Sequence, residues 1–129
     1  MKRDMDLIRN ILLEIEKQDI NSTYINNIAV DGHTPMEIMQ HVKLMEDHGL
    51  IRDCTYDLSY NTYVRTITWE GYDFLEKIRD HTTWEKTKKI IVQKGLPLVL
   101  DTVKTVSTAL VTAAAEGVAN SIIKNGGQI

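Results

Sequence analysis

The chain has 129 residues, one domain's worth of polypeptide with room for one appended element. Hydrophobic residues make up 43% and charged residues 26%, which excludes a disordered chain. Fifteen Lys and Arg against 18 Asp and Glu leave a net charge of -3, which excludes a strongly basic coat for nucleic acid while leaving room for a local basic patch. The single cysteine, Cys54, can form no intrachain disulfide, as suits a reducing compartment.

Asp4, Asp6 and Arg9 interrupt any apolar core of a secretory signal. The most apolar region, Leu96 to Ile123, is punctuated by Asp101, Lys104 and Glu116. Its longest uncharged run, Thr105 to Ala115, falls well short of the roughly 20 residues of a spanning helix. A soluble cytoplasmic protein with no membrane partner is the expectation.

Residues 4–18 read as a helix with Asp4 as N-cap, because Leu7, Ile8, Ile11, Leu12 and Ile15 recur at helical spacing. Residues 22–30 read as a strand, with Tyr24, Ile28 and Val30 on one parity, ended by Asp31-Gly32. Thr34, Pro35 and Glu37 form the cap, first position and third position of a second helix, a capping-box pattern, and Gly49 closes it. Its stripe is Ile38, Val42 and Met45. Leu50 to Asp57 and Thr62 to Thr68 read as a hairpin around Leu58-Ser59-Tyr60-Asn61. Thr68 then caps a third helix, Trp69 to about Asp80, with Tyr72, Phe74, Leu75 and Ile78 on its buried side. Thr82 or Thr83 caps a fourth, Trp84 to Lys94, ended by Gly95, and Pro97 opens a last one to about Lys124.

The order is α+β: a winged-helix-like domain of helix, strand, helix, β-hairpin wing and helix over residues 1–82, with a two-helix C-terminal extension over residues 83–129. A strand stands where the first helix of a helix-turn-helix pair, the brace against the duplex backbone, would be.

The string HVKLMEDHGLIRD followed by YVRTITWEGYDFL resembles the recognition helix, wing and following helix of winged helix-turn-helix proteins. MKRDMDLIRNILLEIE, MQHVKLMEDHGLI and TWEGYDFLEKIRDHTTWEKTK together resemble a domain-of-unknown-function family of short proteins from phages and prophages. The likeness spans nearly the whole chain. It implies a winged-helix-like fold and a phage or prophage origin, and brings no catalytic or binding residues with it.

Residues 1–80 carry 9 basic and 15 acidic side chains, a poor start for phosphate neutralisation. The residues placed to touch DNA are Lys43 on the second helix and Arg52, Tyr60, Tyr63 and Arg65 on the wing. A basic group, Lys86, Lys88, Lys89 and Lys94 against Glu85, reads first as a solvated helix face. His41 and His48, seven apart, share one helix face with Cys54 following, but no paired metal-ligand spacing exists, so no metal and no cofactor are expected. Cys54 reads as a packing residue, no phosphate loop is present, and no enzyme is expected.

In the last helix Ala109, Ala113, Gly117 and Ser121 recur every four residues beside Val99, Val103, Val106 and Leu110. A helix of this length spans about 40 Å, more than a small core can cover, so these eight residues are expected to seal a homodimer or higher homo-oligomer. Two functions stay open: an oligomeric regulator that contacts DNA through the wing, and a protein-binding module whose acidic surface interferes with a host or defence protein.

Overall fold

The computed structural model describes residues 1–19 and 21–126, with the side chains of Asn125 and Gly126 outside that description. The described residues contain five helices and a two-stranded antiparallel hairpin, an α+β arrangement. The chain divides into two compact units, Met1–Arg79 and the residues from Asp80 onward.

In the first unit α1 (Met5–Glu16) starts where Asp4 accepts the amide of Leu7. It buries Leu7, Ile8, Ile11, Leu12 and Ile15, as the spacing predicts. Arg9, on the same helix, is also buried. Its guanidinium donates to the Ile78 and Arg79 carbonyls at 2.8 and 2.6 Å. A cation thus ties the first helix to carbonyls left unpaired where a later helix ends.

The expected strand over residues 22–30 does not form. The segment is irregular and sends one backbone hydrogen bond to the hairpin, from Ile28 N to Thr62 O at 2.9 Å. The reason lies in its polar side chains: Asn27 Oδ1 takes the Thr62 amide that a third strand would need for its ladder. Only Ile28 is anchored by burial.

α2 (Pro35–Asp47) begins with Thr34 Oγ1 accepting the Glu37 amide. The Glu37 carboxylate bonds His33 at 2.9 Å, in place of the return bond of a capping box. Ile38, Met39, His41, Val42 and Met45 are buried. Gly49 closes the helix at φ +83°, with Gly49 N donating to Glu46 O and Leu50 N to Met45 O, a Schellman ending.

β1 (Ile51–Tyr56) and β2 (Thr62–Ile67) pair from Ile51 opposite Ile67 to Tyr56 opposite Thr62. The connecting turn is held by Asp57, whose carboxylate accepts from the amides of Ser59 and Asn61 and the Asn61 side chain. Thr68 caps α3 (Trp69–Ile78), accepting from Gly71 N, and donates to Gly49 O at 2.5 Å. α3 buries Gly71, Phe74, Leu75 and Ile78. Tyr72, expected on the buried side, is exposed. It lies one position past Gly71, where the backbone itself makes the contact, so the buried stripe runs through the glycine.

The second unit holds α4 (His81–Gln93) and α5 (Leu100–Gly126). Asp80, and neither Thr82 nor Thr83, caps α4 by accepting from Thr83 N. The helix therefore starts three residues earlier than expected. Gly95 closes it at φ +67° in a second Schellman ending. α4 packs on the start of α5, with Trp84, Thr87 and Ile91 buried on one and Leu100, Val103 and Ser107 on the other.

Gly71 is the tightest point of the first unit. A Cβ there would lie 2.0 Å from the Leu50 carbonyl oxygen and 2.8 Å from Ile67 Cγ2. The clash is with backbone and cannot be relieved by a rotamer change. Gly71→Ala is expected to cost about 3 kcal/mol, read as a fall in the urea midpoint of the full chain. Gly32→Ala meets no atom within 4 Å but carries the strain of φ +81°, and should cost about 1 kcal/mol.

Candidate functional site

The hairpin and α2 were expected to present the nucleic-acid contacts. Lys43 stands with its ammonium 5.2 Å from the centroid of the Tyr56 ring, on the side of the hairpin that α2 covers. Arg52 is exposed, with Nε 3.8 Å from the Asp53 carboxylate. Asp53 sits at φ +61° and accepts a 2.7 Å hydrogen bond from Thr66. Arg65 lines a cleft of about 410 Å³ together with Glu16, Asp19 and Tyr72. Tyr60, in the turn at φ +65°, is exposed, and Tyr63 is half-buried opposite Thr55. An aromatic ring accompanies Lys43 and a carboxylate accompanies Arg52, while Arg65 shares the lining of its cleft with Glu16 and Asp19.

Outward-facing α3 is a different surface. Trp69, Tyr72, Asp73 and Glu76 fall at i, i+3, i+4 and i+7, opposite the buried Gly71, Phe74, Leu75 and Ile78. Trp69 is 79% exposed and Tyr72 45%. Glu70 and Asp73 are exposed beside them. Tyr72 also forms one wall of the 410 Å³ cleft, whose floor includes Ile15, Ile25 and Ile67. In the sequence this aromatic and acidic face is legible only as a second helical stripe, complementary to the buried one.

His41 is buried, with Nε2 accepting from Asp4 N at 2.9 Å and Nδ1 donating to Glu37 O at 2.8 Å. Both ring nitrogens are thereby occupied in joining the start of α1 to α2, whereas His48 is exposed. Among the described residues no group of three or more His, Cys, Asp and Glu is arranged to hold a metal ion. Burial pushes the Cys54 thiol up to about 12, and the neighbouring Glu46 carboxylate adds to the rise. Tyr56 is raised in the same way, by burial and then by Cys54 and Glu46. A thiol protonated at neutral pH is a poor nucleophile.

Along α5 the residues expected at an oligomer interface divide. Val103 is fully buried within the chain and cannot reach a second copy, because α4 already covers it. Val99, Val106 and Leu110 are half-buried, while Ala109, Ala113, Gly117 and Ser121 are exposed. Leu100–Lys124, with a mean hydropathy of 1.3 in its most apolar stretch, is long and apolar enough to cross a membrane by length and composition. Its few charges break the uncharged run without lowering that average enough to exclude it.

The family model of a hypothetical protein, DUF2513, matches residues 2–97. The chain belongs to the DUF2513 family. An uncharacterised protein of Haemophilus influenzae (strain ATCC 51907) is 36% identical over 117 residues, covering 87% of this chain and 97% of its own length. The DUF2513 match takes in the first unit apart from Met1, together with α4, and stops before α5. The alignment to the Haemophilus protein covers more of the chain than the stretch preceding Leu100, so it includes part of α5. No solved structure matches the chain.

The raised Cys54 thiol sets an expectation for chemistry at this site. Alkylation by iodoacetamide at pH 8.5 should run roughly 100-fold or more slower than for a free thiol, because the thiolate is scarce. Reaction at the free-thiol rate in the folded protein would show that the thiol is not held in its protonated form.

Proposed function

We propose that this chain is a non-catalytic protein-binding module whose first unit engages a basic segment of a partner through the outward face of α3. The observation that carries the reading is the i, i+3, i+4, i+7 face of Trp69, Tyr72, Asp73 and Glu76, two large exposed aromatics among carboxylates. An indole and a phenol on a rigid helix supply contact area at low entropic cost, and their π faces attract Lys and Arg. The unit around them, residues 1–79, carries 9 basic against 14 acidic side chains, so its field favours a basic partner.

A second reading has its own support. α2, the hairpin and α3 follow one another in the order of a winged helix, with Arg52, Tyr60 and Arg65 exposed around the hairpin. The motif resemblance to phage and prophage proteins supports an accessory role in an infected or lysogenic bacterium under either reading. Against DNA stand the carboxylate beside Arg52, the acidic residues that line the cleft with Arg65, and the absence of a described helix between α1 and α2 to brace a duplex backbone.

Two measurements separate the readings. In a mobility-shift titration at about 50 mM salt, the full chain should leave duplex DNA unretarded; retardation that weakens with salt and disappears in Arg52→Ala/Arg65→Ala would establish the DNA reading in its place. A photo-crosslinking residue at position 69 should trap a defined bacterial protein, and the same group at the exposed Lys17 position should not. Tyr72→Ala should weaken that capture roughly tenfold or more, the loss of one aromatic anchor.

A further inference from the structure

We infer that the basic segment occupying the α3 face when no other partner is present is α4 of a second copy of this chain, so that two copies pair through two equal contacts of α3 on α4. That pairing rests on the α3 face being a site for a basic segment, of which α4 is one.

The two units of the chain carry opposite charge. Met1–Arg79 holds 9 basic against 14 acidic side chains, and the residues from Asp80 onward hold 6 against 4. Four of those six, Lys86, Lys88, Lys89 and Lys94, lie on α4 or directly after it. Trp84, Thr87 and Ile91 fix the buried side of the helix, which leaves Lys86, Lys89 and Val92 exposed. Lys86, Lys88 and Lys89 line an open groove of about 730 Å³ with Val92 and Leu98, and Val92 is 69% exposed. Glu85, on the same groove, is paired with Lys88 at 3.0 Å, and the Lys88 ammonium also stands over the Trp84 ring. Among the described residues neither Lys86 nor Lys89 is in an ion pair.

The α3 face offers the complement. Glu70 and Asp73 are exposed and, among the described residues, in no ion pair, whereas Glu76 is held by Arg79 at 2.7 Å. Lys77, the one cation of α3, is half-buried. Glu70 and Asp73 stand three residues apart, and so do Lys86 and Lys89. Each pair is therefore adjacent on its helix surface, with about 4.5 Å of rise between its members, so two carboxylates can meet two ammonium groups when the helices lie side by side. Trp69 and Tyr72, beside the carboxylates, supply π faces for the lysines, and Val92 supplies apolar area for the rings.

A second copy is favoured as the occupant because every copy carries both members of the complementary pair, on helices separated only by Arg79 and Asp80. Exchange between two copies makes the contact twice and closes the assembly. The DUF2513 match over residues 2–97 contains both faces and ends before α5. A basic segment of another protein competes for the same surface, so self-pairing keeps Trp69 and Tyr72 covered until such a partner displaces the second copy.

The test uses the full chain without lipid. At about 50 mM salt sedimentation velocity should give the mass of two chains, falling toward one at about 1 M salt, where charges are screened beyond about 3 Å. Lys86→Glu/Lys89→Glu and Glu70→Lys/Asp73→Lys should each weaken association roughly tenfold or more, with helicity by circular dichroism unchanged. An equimolar mixture of the two variants should restore the mass of two chains, because both contacts then join opposite charges again. A photo-crosslinking residue at position 69 of the purified chain should link to α4 of the second copy. A wild-type monomer, a dimer indifferent to both reversals, or a link that maps outside α4 would overturn the pairing. So would a monomer that binds phosphatidylglycerol vesicles through Lys86 and Lys89, which would give the basic face to lipid headgroups. Capture of a bacterial protein at position 69 by a chain that is monomeric when pure would overturn the pairing and leave the α3 reading standing. A pure dimer linked from position 69 to α4 that captures nothing else would keep the pairing and remove the foreign partner.

Discussion

The contact on which the first unit depends is the approach of Gly71 to the Leu50 carbonyl. It brings the end of α2, the base of the hairpin and the start of α3 to one point. Hydrogen bonds fasten that point from several sides: Thr68 N to Leu50 O at 3.0 Å, Thr68 Oγ1 to Gly49 O, and Gly71 N to Thr68 Oγ1. HGLI and TWEG, which lie within two of the strings that carry the resemblance, are the two halves of this junction. Gly49 supplies the left-handed turn that aims the chain into β1, and Gly71 supplies the missing Cβ that lets α3 lie against it. Their joint appearance in the sequence has a steric cause.

With that junction fixed, the remaining surfaces follow. α3 is held by its buried stripe, so Trp69, Tyr72, Asp73 and Glu76 must face outward on a rigid element. Two buried polar residues brace the opposite side of the unit. Arg9 holds carbonyls at the end of α3, and His41, on α2, holds the amide of Asp4, the cap of α1. Both could have been taken for functional groups from residue type alone. Both ring nitrogens of His41 and two nitrogens of the Arg9 guanidinium are hydrogen-bonded within the fold, as burial of a polar side chain demands.

Much of the architecture was legible in local chemistry. Asp4, Thr34 and Thr68 cap the helices they were expected to cap, and Gly49 and Gly95 end helices, because capping depends on a few neighbouring atoms. The failures have a common origin. A strand needs a partner ladder, and residues 22–30 lost theirs when the Asn27 side chain took the Thr62 amide. Tyr72 fits a helical stripe on periodicity, but the buried arc is centred one residue earlier, where a glycine backbone does the packing. Val103 looked like an interface residue until α4 was found to cover it.

By itself the sequence determined the α+β character, the caps of the first three helices, the acidic character of the first unit and the excess of apolar surface on the last helix. These depend on periodicity, composition and short-range hydrogen bonding, all of which are local. Only the tertiary structure decided which side of each element is left to solvent: that a carboxylate accompanies Arg52 and an aromatic ring Lys43, that α3 shows aromatics outward, and that α4 stops short along α5. Exposure is set by what packs on a surface from elsewhere in the chain, and no stretch of sequence contains that information alone.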